Sequence, residues 1–308
     1  LENIDIVIVC YNCGADIVSV LEDIRRGDYP LEKIRFLIVD NASADDSLLL
    51  LREVKNLNVE IIASPKNLGF GAGCNLARRF LAAPKTLFLN PDVHLYKDSI
   101  KNLLTFSVDN PKALIWGGRT LDSDGKDDGK GAWREPTLRG VLAWAFFLDL
   151  LTKKIGLPST DAYQFNSTTP FIRADAISGC FFLIDTSVFN RLNGFDERFF
   201  MYSEEIDLCR RARDIGAAPV STNAARIVHH GSKTLNSISK LNLLYYHKLK
   251  YFQKHWSIQK FKFAQKAIFL GTLFRVVAYS TTAFFMPSKK PRKELWLNFL
   301  KIQNDWRF

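Results

Sequence analysis

Cysteine is too sparse in this chain, and too irregularly placed, to build a disulfide framework: there are five, an odd number, spread over 308 residues. That excludes the small disulfide-stapled class and favours reduced thiols in a cytosolic protein. Cys10 and Cys13 form a lone Cys-x-x-Cys with no second pair, so a zinc or redox assignment lacks support from sequence. Low-complexity tracts are missing, which excludes a disordered or fibrous chain. The short apolar start, Ile4–Val9, carries Asp5 and lacks a basic n-region and a cleavage site, so it reads as a buried strand and not a secretory signal. Acidic residues are scarce in one region only. From Lys233 onward 15 Lys+Arg face 2 Asp+Glu, a net of +13, which leaves residues 1–232 with 27 against 30, a net of −3. The overall balance of +10 therefore belongs to the tail. A near-neutral body argues against nucleic-acid binding, and a basic tail points to an anionic surface beside the last quarter of the chain.

What is present is an α/β pattern. Apolar runs at Ile4–Val9, Ile34–Val39, Val59–Ala63, Thr86–Leu89 and Ala113–Trp116 alternate with helical patterns at Asp16–Arg26, Asp45–Lys55, Gly71–Ala82 and Asp98–Asp109. Near-continuous Ile/Val/Leu runs separated by helices predict a parallel sheet covered on both faces. Ligands of such sheets sit at the carboxyl ends of the strands. Those ends carry Tyr11 and Asn12, Asp40 and Asn41, Asn67, then Asn90 and Asp92. Gly117–Ala132 reads as a mobile loop, Thr137–Ile155 as a helix and Ile177–Ile184 as a further buried strand.

The tail combines aromatics with lysines over Leu241–Trp256. It continues into twenty apolar residues, Ala267–Met286, interrupted by Arg275, and into the basic run Ser288–Lys293. Twenty residues is about the length that spans a bilayer, but a central arginine makes a span less attractive. Helices lying in the membrane interface fit better, with a docked helical subdomain as the competing reading. The division expected is 1–235 for the catalytic domain and 236–308 for a basic amphipathic helical region.

Several stretches carry chemistry. In Gly194–Arg211, Ser203 is a plausible N-cap, Glu204 and Glu205 fill the first helical turn and Gly216 stops the helix. Taken alone, these acids complement a helix dipole. Asn67–Asn75 is a glycine-rich turn entering a helix, neither Gly-x-Gly-x-x-Gly nor a Walker loop. Leu89-Asn-Pro-Asp92 ends a strand with one carboxylate, able to hold a single divalent cation or simply to make a turn. His229 and His230 follow the apolar segment Ala225–Val228.

Taken in order, Tyr-Asn, Val-Asp-Asn-Ala-Ser, Asn-x-Gly-Phe-Gly-x-Gly-x-Asn, Leu-Asn-Pro-Asp, Ser-Gly-Cys-Phe-Phe-Leu-Ile and Gly-Phe-Asp-Glu-x-Phe-Phe-x-Tyr-x-Glu-Glu-x-Asp-Leu resemble the family 2 glycosyltransferases of the GT-A fold. More narrowly they are similar to the bacterial rhamnosyltransferases of cell-surface polysaccharide assembly, over about residues 4–232. The resemblance implies a Rossmann-like GT-A domain with a C-terminal helical membrane-associating extension.

It also implies roles. Asp40 would bind the pyrimidine base, with Tyr11, Asn12, Asn67, Gly69 and Asn75 around the donor nucleotide. Asp92 and His229 would hold Mn2+ or Mg2+, with Asn90, which stands where the family has a first Asp, as a further candidate. Glu205, where Asp is commoner, would be the general base, and Trp133, Asp196 and Glu204 would shape the acceptor pocket. The implied reaction is inverting transfer of a sugar, L-rhamnose from dTDP-β-L-rhamnose first. The implied acceptor is a polyprenyl-diphosphate-linked saccharide on the cytoplasmic face of the plasma membrane. UDP-galactofuranose or a UDP-hexose is the alternative donor, a non-catalytic membrane-bound assembly factor is the alternative class, and homo-oligomerisation is left open.

Overall fold

A computed structural model describes residues 1–148, 161–166, 168–229 and 237–308. The end of the expected helix Thr137–Ile155, and His230, lie outside the described residues. The chain divides into two compact units. The first comprises Leu1–Glu135, Ala162–Phe200 and Glu204–Ser232. The second comprises Pro136–Asp161, Met201–Ser203 and Lys233–Phe308, so it also takes in two segments that the expected division places in the catalytic domain.

In the first unit the strands are β1 (Ile4–Cys10), β2 (Ile34–Asp40), β3 (Val59–Ala63), β4 (Lys85–Leu89), β5 (Val93–Leu95), β6 (Ile115–Leu121), β7 (Ala132–Trp133), β8 (Phe171–Arg173), β9 (Ala176–Ile177), β10 (Phe181–Asp185) and β11 (Val220–His229). Its helices are α1 (Gly14–Arg25), α2 (Ser47–Arg52), α3 (Phe70–Ala77), α4 (Ser99–Asp109), α6 (Thr186–Arg191) and α7 (Glu204–Asp214), while α5 (Leu138–Ala145) belongs to the second unit. Among the described residues one sheet has nine strands, in the order β3-β2-β1-β4-β10-β6-β11-β5 with β8 beside β11. Every residue of β1 is buried. Ile4, Ile6 and Ile8 enter one core, while Val7 and Val9 enter the other, the two-residue period of a strand covered on both faces.

The sheet is mixed and not parallel. β3, β2, β1 and β4 run parallel, but β10 inserts antiparallel between β4 and β6. A strand buried on both faces reads as the same apolar run in either direction, so its sense is invisible in the sequence. The predicted strand Ile177–Ile184 is broken at Ser178-Gly179-Cys180, which separates β9 from β10.

The predicted mobile loop is also revised. Gly117–Leu121 belongs to β6. The segment after it is pinned by Arg119, which pairs with Asp127 at 2.8 Å and donates to Asn223 at 3.0 Å, and by the Asp122 carboxylate, which accepts the N–H groups of Asp124 and Lys126. Asp and Gly in such turns signal local hydrogen bonding as readily as mobility.

The second unit is helical: α5, then α8 (Ser237–His255), α9 (Ile258–Phe285) and α10 (Lys290–Gln303). Arg275, the charge inside the apolar stretch, is buried at 5% exposure. Its guanidinium lies 3.9 Å from the Trp144 ring centre and 4.3 Å from that of Phe147. It donates to the carbonyls of Gly271 at 3.0 Å and Trp144 at 2.6 Å. α9 is the helix, among the described residues, long and apolar enough to cross a membrane. Phe269, Leu270, Leu273, Phe274 and Val277 remain exposed along it at helical spacing.

Candidate active site

The parallel strands bring their carboxyl ends to one edge of the sheet, and the polar residues after them interlock. Asn12 takes a left-handed backbone (φ 55). Its side chain accepts the Ala44 N–H at 2.8 Å, and its own N–H donates to Ser43 Oγ at 3.0 Å. Ser43 N–H in turn donates to the buried carboxylate of Asp40. Tyr11 is 37% exposed beside them.

Asn41, which the sequence marked only as a strand end, is the fastener of the glycine-rich turn. Its amide nitrogen donates to Asn67 Oδ1 and the Gly69 carbonyl, both at 3.0 Å, and its oxygen accepts the Leu68 N–H at 3.0 Å. Gly69 sits at φ 82, where an added Cβ would strike the Phe200 carbonyl. Phe70 N–H then donates to that same carbonyl at 2.9 Å, which fixes the start of α3.

Two of the expected site residues have protein partners. Asn75 uses both ends of its amide on the backbone of Phe195, at 2.8 and 2.9 Å, and so holds the Gly-Phe-Asp-Glu segment. Asp196 is clasped by the Arg198 guanidinium, with contacts of 3.0 and 2.5 Å. The same segment is tied from α7: the Asp207–Arg211 pair, at 2.8 Å, aims Arg211 at the carbonyls of Leu192 and Gly194.

Strand register brings Asp92 and His229 together. β11 pairs antiparallel with β5 so that His229 stands opposite Val93, one residue after Asp92. His229 Nε2 is 3.3 Å from Asp92 Oδ1. Neither ring nitrogen of His229 makes a hydrogen bond, although both are buried. Asn90, next along, donates its backbone N–H to the Cys180 carbonyl at 3.1 Å.

Among the described residues no group of three His, Cys, Asp or Glu side chains is placed to hold a metal. The Asp92–His229 pair nonetheless fits one hard cation bound by two protein ligands, its other positions open to phosphate oxygens and water. The two buried imidazole nitrogens without hydrogen bonds suit that role.

The acidic pair begins α7. The chain enters this helix through two left-handed residues, Tyr202 (φ 69) and Ser203 (φ 72), and not through the extended Ser203 cap that the sequence suggested. Glu204 and Glu205 each bury an oxygen that lacks a hydrogen bond. Burial pushes the Glu205 carboxyl up to about 7, and burial together with the charge of Glu205 also raises Glu204 well above the usual carboxylate range. The thiol of Cys180, pushed up to about 12 chiefly by burial, also feels the charges of Asp92, Asp128 and Glu205. Trp133 lies on β7, opposite Ala176.

Known proteins share this architecture. The profile described as glycosyl transferase family 2 matches residues 5–192. Low-salt glycan biosynthesis hexosyltransferase Agl10 of Haloferax volcanii is 28% identical over 69% of the chain, which spans 62% of that protein's length. N-acetylglucosaminyl-diphospho-decaprenol L-rhamnosyltransferase of Mycobacterium tuberculosis is 26% identical over 80% of the chain and 82% of its own length. Among solved structures, the mannosyltransferase PcManGT of Pyrobaculum calidifontis, in complex with GDP-Man and Mn2+, superposes with a TM-score of 0.62 at 14% identity. That superposition covers 99% of this chain and 87% of PcManGT. At this identity it is the fold that the two share.

Proposed function

The chain belongs to glycosyl transferase family 2, and on that premise we propose that it moves a hexose from a nucleoside-diphosphate sugar onto a hydroxyl of a saccharide acceptor. The observation that carries this reading is Glu205: a half-buried side chain at the start of α7, with one enclosed oxygen that lacks a hydrogen bond and a carboxyl pushed up to about 7 by desolvation. A base must hold a proton loosely at working pH and face a site that water does not fill. A non-catalytic assembly factor has no use for two adjacent acids that each enclose an oxygen without a hydrogen bond, at a cost in solvation.

Glu205 takes the proton of the acceptor hydroxyl as that oxygen attacks the anomeric carbon. The diphosphate departs from the opposite face, so the configuration inverts. Asp40 and the Asn12–Ser43 contact receive the base of the nucleotide. Asn41, through Asn67 and Gly69, sets the turn on which the donor rests. Asp92 and His229 would hold a divalent cation, Mn2+ or Mg2+, which neutralises diphosphate charge when bound.

For the donor, a UDP-hexose comes first, with UDP-galactofuranose in the same class. This choice draws on the Haloferax relative, whose name gives a hexosyltransferase. dTDP-β-L-rhamnose is the second reading, favoured by the mycobacterial relative and by the similar "Rhamnosyltransferase WbbL" of Escherichia coli. A lipid-linked acceptor at an anionic membrane is supported by the exposed apolar stripe of α9 and the basic run Lys289–Lys293 that comes after it.

Nucleotide release from a panel of UDP-hexoses, UDP-galactofuranose and dTDP-rhamnose, with and without EDTA, tests the donor and the cation together. Release from one sugar nucleotide, reduced by EDTA, is the expected result. No release from any, in the presence of lipid-linked saccharides, would overturn the proposal.

A further inference from the structure

The Cys10–Cys13 motif finds no use in glycosyl transfer, yet the fold has placed it with care. Cys10 is the last residue of β1 and fully buried, whereas Cys13 precedes α1 and is partly exposed. Their sulfurs lie 3.8 Å apart, with the Cys13 thiol directed at Cys10 Sγ. Cys10 Sγ also lies 3.7 Å from Ser43 Oγ, and Cys13 Sγ accepts the Tyr11 N–H at 3.4 Å. The three other cysteines, Cys74, Cys180 and Cys209, are buried singly. Between the two thiols stand Tyr11 and Asn12, and Asn12 is the residue that fastens Ser43 and Ala44 beside Asp40.

We propose that Cys10 and Cys13 are a closable dithiol, a covalent modification site whose disulfide reshapes the Tyr11–Asn12 turn at the nucleotide end of the sheet. The functional consequence, though not the chemistry of closure, rests on the donor reading given above.

A bond between the sulfurs needs them at about 2.05 Å, so one must travel toward the other. Cys10 is locked in the sheet by its pairing with Asp40 and by burial, so the moving partner is Cys13 and the start of α1. That motion breaks the Tyr11 N–H contact and alters the left-handed turn at Asn12. Hydrogen bonding from Cys13 also draws the Cys10 thiol down to about 7 while raising that of Cys13, so the two thiols titrate as a unit.

The oxidant is a small organic disulfide. The Cys13 proton passes to Cys10 Sγ, and the partly exposed Cys13 thiolate attacks the disulfide, expelling one small thiolate that takes a proton from water. Cys10 then loses its proton and attacks Cys13 Sγ, which releases the second small thiol. One small disulfide and two protein thiols thus become one protein disulfide and two small thiols. The protein loses two protons and two electrons.

The test equilibrates the whole chain with oxidised and reduced glutathione mixtures, then measures intact mass, a cysteine-resolved peptide map, and amide exchange over residues 11–14 and 43–47. Loss of two hydrogens mapped to Cys10–Cys13, with faster exchange at Asn12 and Ala44, supports the proposal. Cys13→Ser, and independently Cys13→Ala, should abolish both changes. Persistent free thiols at both positions, or a disulfide with unchanged exchange, overturns it.

UDP and dTDP titrations of the two forms complete the experiment, with an expected loss of about tenfold in affinity on oxidation. Nucleotide affinity equal in the two forms removes the link to the donor. Reduced protein that binds neither nucleotide is a failure of the donor reading, and the mass and exchange results decide the dithiol independently.

Discussion

At the scale of single residues, the acid pair of α7 sets both chemistry and a stability cost. Replacing Glu205 with Gln keeps shape and removes the base. Transfer should fall by roughly 10²-fold or more while nucleotide binding in a calorimeter is retained. Near-normal turnover would remove Glu205 from that role. The wild-type rate should climb as pH rises through about 7, the value to which burial lifts this carboxyl, because the working form is the carboxylate. Stability should run the other way. The folded state holds a proton between the ordinary 4.5 and about 7 that the unfolded chain has released. Stability is therefore lost as pH rises across that window and stays low above it. Glu205→Gln abolishes this decline, so its melting temperature relative to wild type should be higher at pH 8 than at pH 5.

At the scale of elements, the fasteners matter more than the residues expected to touch ligand. Asn41→Ala removes three hydrogen bonds and leaves the turn at 67–69 without its anchor. About 2 kcal/mol of stability should be lost, with weaker nucleotide binding, measured by thermal unfolding and titration. An unchanged donor affinity would separate this turn from the donor site. Much of this layer is legible in the sequence. The strands β1 to β4, the polar residues at their ends and the entry to α3 all follow from apolar runs and punctuation. The insertion of β10 against its neighbours' direction is not, since burial on both faces erases direction. The engaged side chains of Asn75 and Asp196 are equally hidden. An amide or carboxylate offers the same letter whether its partner is a ligand, the Phe195 backbone or Arg198, and partners 120 residues apart, as Asn75 and Phe195 are, leave no local pattern. His229 meeting Asp92 is a matter of register, which only the folded sheet supplies.

At the scale of the whole molecule, charge and apolar surface concentrate after Lys233. Arg275 counts against a spanning helix when read as sequence, but it is an internal group of the second unit, stacked on aromatic rings with two carbonyl acceptors. Removing residues 236–308 would strip α5 of its packing partners, so charge reversal is the cleaner probe of membrane docking. Replacing Lys289, Lys290, Arg292 and Lys293 with Glu should abolish sedimentation with anionic vesicles at low salt, each lost cation being worth about 1 kcal/mol near such a surface. Undiminished binding by that variant would sink the interfacial reading. The antiparallel β10 has a further consequence. Because it runs against β4 and β6, the chain leaves β6 at Leu121 and enters β10 at Phe181 on the same rim, having rejoined the sheet once between them at β8. Each of the two connections, before β8 and after it, is anchored at both ends, and lengthening such a connection costs little, about 0.6 kcal/mol for each doubling. Descendants of such a chain can therefore lengthen those connections while β2, which ends at Asp40, and the β5–β11 pairing, which sets His229 beside Asp92, stay in register.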